Sequence, residues 1–130
     1  MVRAERKERE FHVRRAEILE QAEKIFSVKG YHNVTMAEIA DASGFSTGSL
    51  YQFFKGKENL YTSMINEKFD LMFSEIRNAT EKAENVMDKI VMLVDAQLQF
   101  MDKNADFCRL FARGESTALS KAMTSLREKL

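Results

Sequence analysis

Residues 40–54 read ADASGFSTGSLYQFF, with two glycines and four Ser/Thr hydroxyls set directly against Tyr51, Phe53 and Phe54. A flexible linker has no use for the aromatics, and a buried helix does not tolerate so many weak helix formers without a purpose. Two short helices crossing steeply do need such a stretch. They require a small residue where they touch, a turn residue able to take positive φ, and an apolar residue that closes the corner. Ala40, Gly44 and Leu50 fill those roles, with Ile39 and Phe53 adding core contacts. Thr47, Gly48, Ser49, Tyr51 and Gln52 are then left to face outward.

The flanking residues fix the ends of both helices. Thr35-x-x-Glu38 reads as a capping box with Val34 stapled onto Ile39, and Ser46 repeats the device with Phe45 placed against Leu50. Each helix is expected to run fewer than ten residues, a length that is marginal unless capping and packing hold the ends. Upstream, Ile18, Ala22, Ile25 and Phe26 form one face of a helix expected to end at Gly30 in the left-handed conformation. Downstream, the periodicity predicts a long helix over about 58–80, with Leu60, Met64, Ile65, Phe69, Met72, Phe73 and Ile76 on its apolar side. A further helix is predicted over about 85–102 (Val86, Ile90, Leu93, Val94, Gln97, Met101) and a short one over about 105–112. A last one begins near Ser116 and carries Leu119, Ala122, Met123, Leu126 and Leu130. That stripe is still in phase at the final residue, so the chain is expected to stop inside a helix.

The 130 residues contain no proline, and no strand pattern competes with the helical spacing. The fold class is therefore all-α. Lys plus Arg and Asp plus Glu balance at 20 each, so net charge argues for no particular partner. Within residues 1–15, however, six basic residues stand against three acidic ones. Two readings stand for that bias: a solvated helix start with Glu5/Arg9 and Glu10/Arg14 pairs, or an arm that touches DNA. The lone Cys108 excludes an intrachain disulfide, fits a reducing compartment and reads as a packing residue. The aliphatic run at 90–94 is too short for a bilayer and the start is charged, so the expected address is the cytoplasm, with no membrane partner.

The outward face has a chemical purpose. Gly48 lets its helix approach base edges closely, while Ser46, Thr47 and Ser49 offer short hydroxyls to phosphates and bases. Gln52 suits adenine, and the Tyr51 hydroxyl and Lys57 ammonium suit phosphate oxygens. The helix starts at Thr35 and Ser46 add backbone N–H groups that attract anions, by which a neutral chain could still bind DNA; the alternative reading of the same residues is ordinary capping by Ser, Thr and Gly and ordinary core for Tyr and Phe.

The stretch from Ile18 to Tyr61, ILEQAEKIFSVKGYHNVTMAEIADASGFSTGSLYQFFKGKENLY, strongly resembles the DNA-binding domain of the TetR family of transcriptional regulators. The resemblance rests on Phe26, Gly30-Tyr31, Thr35, Ile39-Ala40, Gly44-Phe45-Ser46, Gly48-Ser49-Leu50-Tyr51, Phe54 and Lys57-Glu58. It implies operator contacts from Thr35, Ser46, Thr47, Gly48, Ser49, Tyr51, Gln52 and Lys57. The family commonly has Val or Ile at the position of Phe45 and Tyr or His at that of Phe53, so Phe53 is read as packing. The resemblance also implies a three-helix helix-turn-helix domain at 1–57 and, over 58–130, an incomplete helical domain for effector binding and dimerisation. Family members are usually longer, and the two C-terminal helices on which their dimer commonly depends are expected to be missing. This puts dimerisation of this chain in question.

Phe69, Phe73, Phe100, Met101, Phe107 and Phe111 are candidates to line a pocket for a small hydrophobic effector, against the alternative that they are plain core. His12 and His32 lack partners at ligand spacing, so neither a metal nor a cofactor is expected. Glu67 and Asp70 read as a solvated charged face. Nothing assembles a nucleophile, a base and an oxyanion site, so no enzyme is expected. The leading expectation is a homodimeric repressor released from a palindromic operator by a ligand. The alternative is a helical protein-interaction module that keeps the fold without operator binding.

Overall fold

A computed structural model of the chain describes residues 2–113 together with 124, 127 and 128. Of the helix expected from Ser116 onward, the stripe Leu119, Ala122, Met123, Leu126 and Leu130 lies outside the described residues, while 124, 127 and 128 are helical. The elements are α1 (Val2–Lys29), a 3₁₀ turn (Tyr31–Asn33), α2 (Met36–Ser43), α3 (Thr47–Leu50), α4 (Lys57–Thr80), α5 (Val86–Lys103) and α6 (Ala105–Arg113).

Ile18, Ala22 and Phe26 of α1 are fully buried, and with Val34, Ile39, Ala40, Leu50 and Phe54 they build the core of the first three helices. The same buried cluster continues without a break through Leu60, Tyr61, Met64, Ile65 and Phe69 of α4 to Phe100, Phe107 and Leu110. α4 therefore serves both halves. Its N-terminal turns pack under the helix-turn-helix, and Phe69 meets Phe107 and Phe111 edge-on, each with centroids 5.7 Å apart.

Polar contacts tie the halves at three places. Arg15 of α1 grips Glu67 of α4 bidentately at 2.8 and 2.7 Å, with its guanidinium 5.2 Å from the Phe54 ring centroid. Glu67 is thus a partner rather than the solvated charge that its spacing suggested. Lys68 donates to Asn104 Oδ1 at 2.6 Å and sits 3.3 Å from Glu23. Arg113 at the end of α6 donates to the Val28 carbonyl at 2.8 Å, satisfying one of the open carbonyls at the end of α1.

Several local details differ from the sequence reading. Gly30 does take positive φ, but at φ 84°, ψ 159° it is extended rather than left-handed helical, because the chain turns directly into the 3₁₀ turn. The ion pair along the start of α1 is Arg6–Glu10, with His12 Nε2 3.8 Å from Glu8, and not Glu5/Arg9 or Glu10/Arg14. On α5 the helix forms as anticipated, and Asn85 caps it. Its apolar stripe, however, is not what packs: Ala96 and Phe100 are the buried positions, whereas Val86, Ile90, Leu93, Val94 and Met101 stay exposed. The face turned to α4 carries the smaller set, and the larger set is uncovered among the described residues.

Candidate nucleic-acid interface

The corner between α2 and α3 forms for local reasons. Thr35 Oγ1 accepts from Glu38 N at 3.2 Å and starts α2. The reciprocal half of the capping box is diverted, since the Glu38 carboxylate takes Lys29 Nζ at 2.9 Å. α2 ends at Gly44, which adopts the left-handed φ 77°, ψ 24° while Phe45 N closes back on the Ala40 carbonyl at 2.9 Å. That conformation is costly for any residue with a Cβ. Ser46 then caps α3, accepting from Ser49 N at 3.1 Å and donating to Ser49 Oγ at 2.9 Å.

α3 proper is one turn, Thr47–Leu50, prolonged by bonds from Gln52 N to the Ser49 carbonyl and from Phe53 N and Phe54 N to the Leu50 carbonyl. Leu50 and Phe54 are buried, and Phe53 is half-buried against Phe45 with centroids 6.2 Å apart. With its inner side held this way, α3 leaves Ser46, Thr47, Gly48, Tyr51 and Gln52 exposed and Ser49 half-buried beside its cap. A Cβ built on Gly48 meets nothing within 4 Å, so the fold itself does not require glycine there. Thr35 is exposed at the start of α2.

Lys57 is placed differently from the rest. Its ammonium donates to the Tyr31 carbonyl at 2.9 Å and lies 4.3 Å from the Tyr31 ring centroid. One of its three N–H donors is thereby taken, and the side chain braces α4 against the end of α1.

One contributor escaped the sequence reading. Phe11 of α1 stacks on Phe53, with centroids 4.7 Å apart and planes 21° from parallel. It stands seven residues before Ile18, in phase with the core face of α1, and that spacing was the available signal.

Of the candidate effector-site residues, Phe69, Phe73, Phe100, Phe107 and Phe111 come together in one aromatic cluster. Met101 does not join them and is exposed on α5. A recess of about 710 Å³ opens elsewhere, between α1, α4 and the start of α6, and its walls include Arg15, Glu23, Lys68, Asn104 and Asp106. Burial, helped by the nearby Asp106 and Glu20 charges, pushes the Glu23 carboxyl above its ordinary value against the opposing pull of Lys68. Burial and the Glu23 charge likewise push the Cys108 thiol up, which suits a packing residue rather than a thiolate nucleophile. No helix among the described residues is long and apolar enough to cross a membrane.

Residues 18–64 match the family described as bacterial regulatory proteins, tetR family. Over 97 residues the chain is 32% identical to the HTH-type transcriptional activator FasR of Mycolicibacterium smegmatis, covering 75% of this chain and 44% of that protein. Over 89 residues it is 29% identical to the HTH-type transcriptional repressor KstR2 of Mycobacterium tuberculosis, covering 68% of this chain and 44% of that one. The fold is similar to that of the fatty acid degradation regulator FadR from Bacillus halodurans, with a TM-score of 0.76 and 23% identity over 88% of this chain and 58% of that one. The chain thus spans about half the length of these three proteins.

Proposed function

The chain belongs to the TetR family of bacterial regulatory proteins, and on that premise we propose that α3 reads an operator in the major groove and that the protein regulates transcription from it. One observation carries this reading: a capped, one-turn helix anchored by Leu50 and Phe54 presents Thr47, Gly48, Tyr51 and Gln52 to solvent. In that arrangement Gln52 and Ser49 meet base edges, while Ser46, Thr47, Tyr51 and Thr35 meet phosphates. Lys57 acts chiefly as a brace and offers its remaining donors to a phosphate. On this reading residues 1–57 make up the DNA-binding unit, residues 58–130 belong to an effector and dimerisation domain, and the protein works in the cytoplasm, where its operator is. Two copies related by a two-fold axis would bind a palindrome.

Repression is the simpler outcome, because a protein seated on a promoter blocks it without any further surface. Release by a small hydrophobic effector fits the aromatic cluster, where Phe73 is half-buried and Phe111 exposed at the seam of α4 and α6. The test is a reporter gene placed behind a site that the protein enriches from a random duplex library. Expression falling when the protein is present supports repression, rising expression reverses the sign, and no change on any enriched site contradicts the regulatory reading.

A further inference from the structure

We propose that the first half of α1 is a second DNA-contacting element, a basic arm lying along the phosphates that flank the bases read by α3. The proposal rests on α3 as the base-facing element and extends the interface to residues ahead of the family match at 18–64. With about 3.6 residues per turn, Arg3, Lys7 and Arg14 stand at i, i+4 and i+11 on one side of the helix. Phe11 adjoins that side, and its stack on Phe53 at 4.7 Å pins the arm beside the end of the α3 turn. The neighbouring side, with Arg6, Arg9 and Arg14 beside Glu10, Val13 and Glu17, borders a shallow recess that Phe45 also lines. Phe45 immediately precedes the Ser46 cap, so the arm stacks on the end of the α3 turn at Phe53 and shares a recess with the residue ahead of its start.

The arm has little to bury. Before Phe11 its one large apolar residue is Val2, and every described residue from 2 to 14 is exposed. A helix that is polar all round either solvates or meets a charged partner. Five basic residues against Glu5, Glu8 and Glu10 over residues 2–14 favour an anionic one. Glu10 is held by Arg6 at 3.3 Å and Glu8 lies 3.8 Å from His12. No ion pair with any described carboxylate engages Arg3, Lys7, Arg9 or Arg14. From Phe11 to Val2 the helix extends about 14 Å, which matches about four nucleotides at about 3.4 Å of duplex axis each.

The experiment compares the parent chain with Arg3→Gln/Lys7→Gln/Arg14→Gln on three probes. These are a 40-bp duplex enriched from a random library, the same duplex trimmed by six base pairs at each end, and a random 40-bp duplex. Each lost phosphate contact lowers the slope of log affinity against log salt by about 0.9, so the variant should lose about 2–3 from the slope per bound copy on both long probes. Between 50 and 200 mM salt its affinity should fall about 40-fold less than that of the parent. The parent's preference for the long over the trimmed duplex should vanish, while helicity by circular dichroism stays the same, because glutamine is a good helix former. Arg3→Lys/Arg14→Lys should keep the parent's slope. An unchanged slope and length preference in the Gln variant would overturn the arm, whatever α3 does. If the parent prefers no sequence at all, the α3 reading fails, and the slope on the random duplex still decides the arm.

Discussion

Single side chains divide here into those that the fold needs and those that it merely displays. Gly44 is needed, since its positive φ turns the corner. Gly48 is displayed, with open space where a Cβ would stand. Gly48→Ala is therefore expected to leave the protein as stable or more stable by about 0.5–1 kcal/mol, because alanine favours helix, while weakening operator binding by obstructing close approach. Thermal unfolding and duplex titration of one sample check both halves, and undiminished affinity refutes the role given to Gly48. Gln52 and Lys57 separate in the same way. Gln52→Ala should cost roughly 1–3 kcal/mol of binding at one base pair with no change in stability. Lys57→Ala should cost roughly 1–2 kcal/mol of stability through its bond to the Tyr31 carbonyl and its place over that ring, and should weaken binding similarly on every sequence. Equal losses from both variants on every duplex would contradict this division. Side-chain type and spacing announced Gln52 as displayed. They could not announce that Lys57 is spoken for, because its partner is a backbone carbonyl 26 residues away.

Among the elements, α3 depends most on its cap. A single helical turn cannot sustain itself, so the Ser46 hydroxyl and the anchors Leu50 and Phe54 carry it. Ser46→Ala is expected to cost about 1 kcal/mol and to raise hydrogen exchange at Ser49 and Leu50 ahead of the rest of the fold. Exchange there no faster than in the parent would show that packing alone holds the turn. The caps at Thr35 and Ser46 were legible in the sequence, as were the spans of α2, α4 and α5, because capping residues and periodicity are local signals; the Asn85 cap was not read there. The 3₁₀ turn after Gly30 was not, since three residues show no period. Nor could periodicity choose which face of α5 meets α4. Ala96 and Phe100 were selected over the richer stripe by the fit against α4 and α6, a tertiary choice that the helix's own spacing does not encode.

For the molecule as a whole, one core joins α1–α3 to α6, and its polar ties cross from α1 to α4 and to the α5–α6 junction. The sequence motif could place the exposed turn of α3 because that motif is contiguous. The ties, Arg15 to Glu67 and Lys68 to Glu23 and Asn104, were out of reach because each links residues dozens of positions apart. Glu23 gives this scale its own prediction. Its carboxyl is held above the ordinary value of 4.5, with burial as the main cause, so it binds a proton more tightly folded than unfolded. Its contribution to stability is complete below about pH 4.5 and is lost as pH rises through the raised folded value. Urea unfolding at steps from pH 4 to 7 should show this decline in the parent and a flatter curve in Glu23→Gln; identical curve shapes would contradict it.

The central claim is that the exposed turn of α3 reads DNA sequence, and it is tested most directly by equilibrium binding of the chain to its enriched palindromic duplex and to a random duplex of equal length at two salt concentrations. A turn that reads bases should give a preference of about a thousandfold or more that survives the higher salt and that Gln52→Ala narrows, as base contacts require. Equal affinity for the two duplexes at both salt concentrations would contradict it.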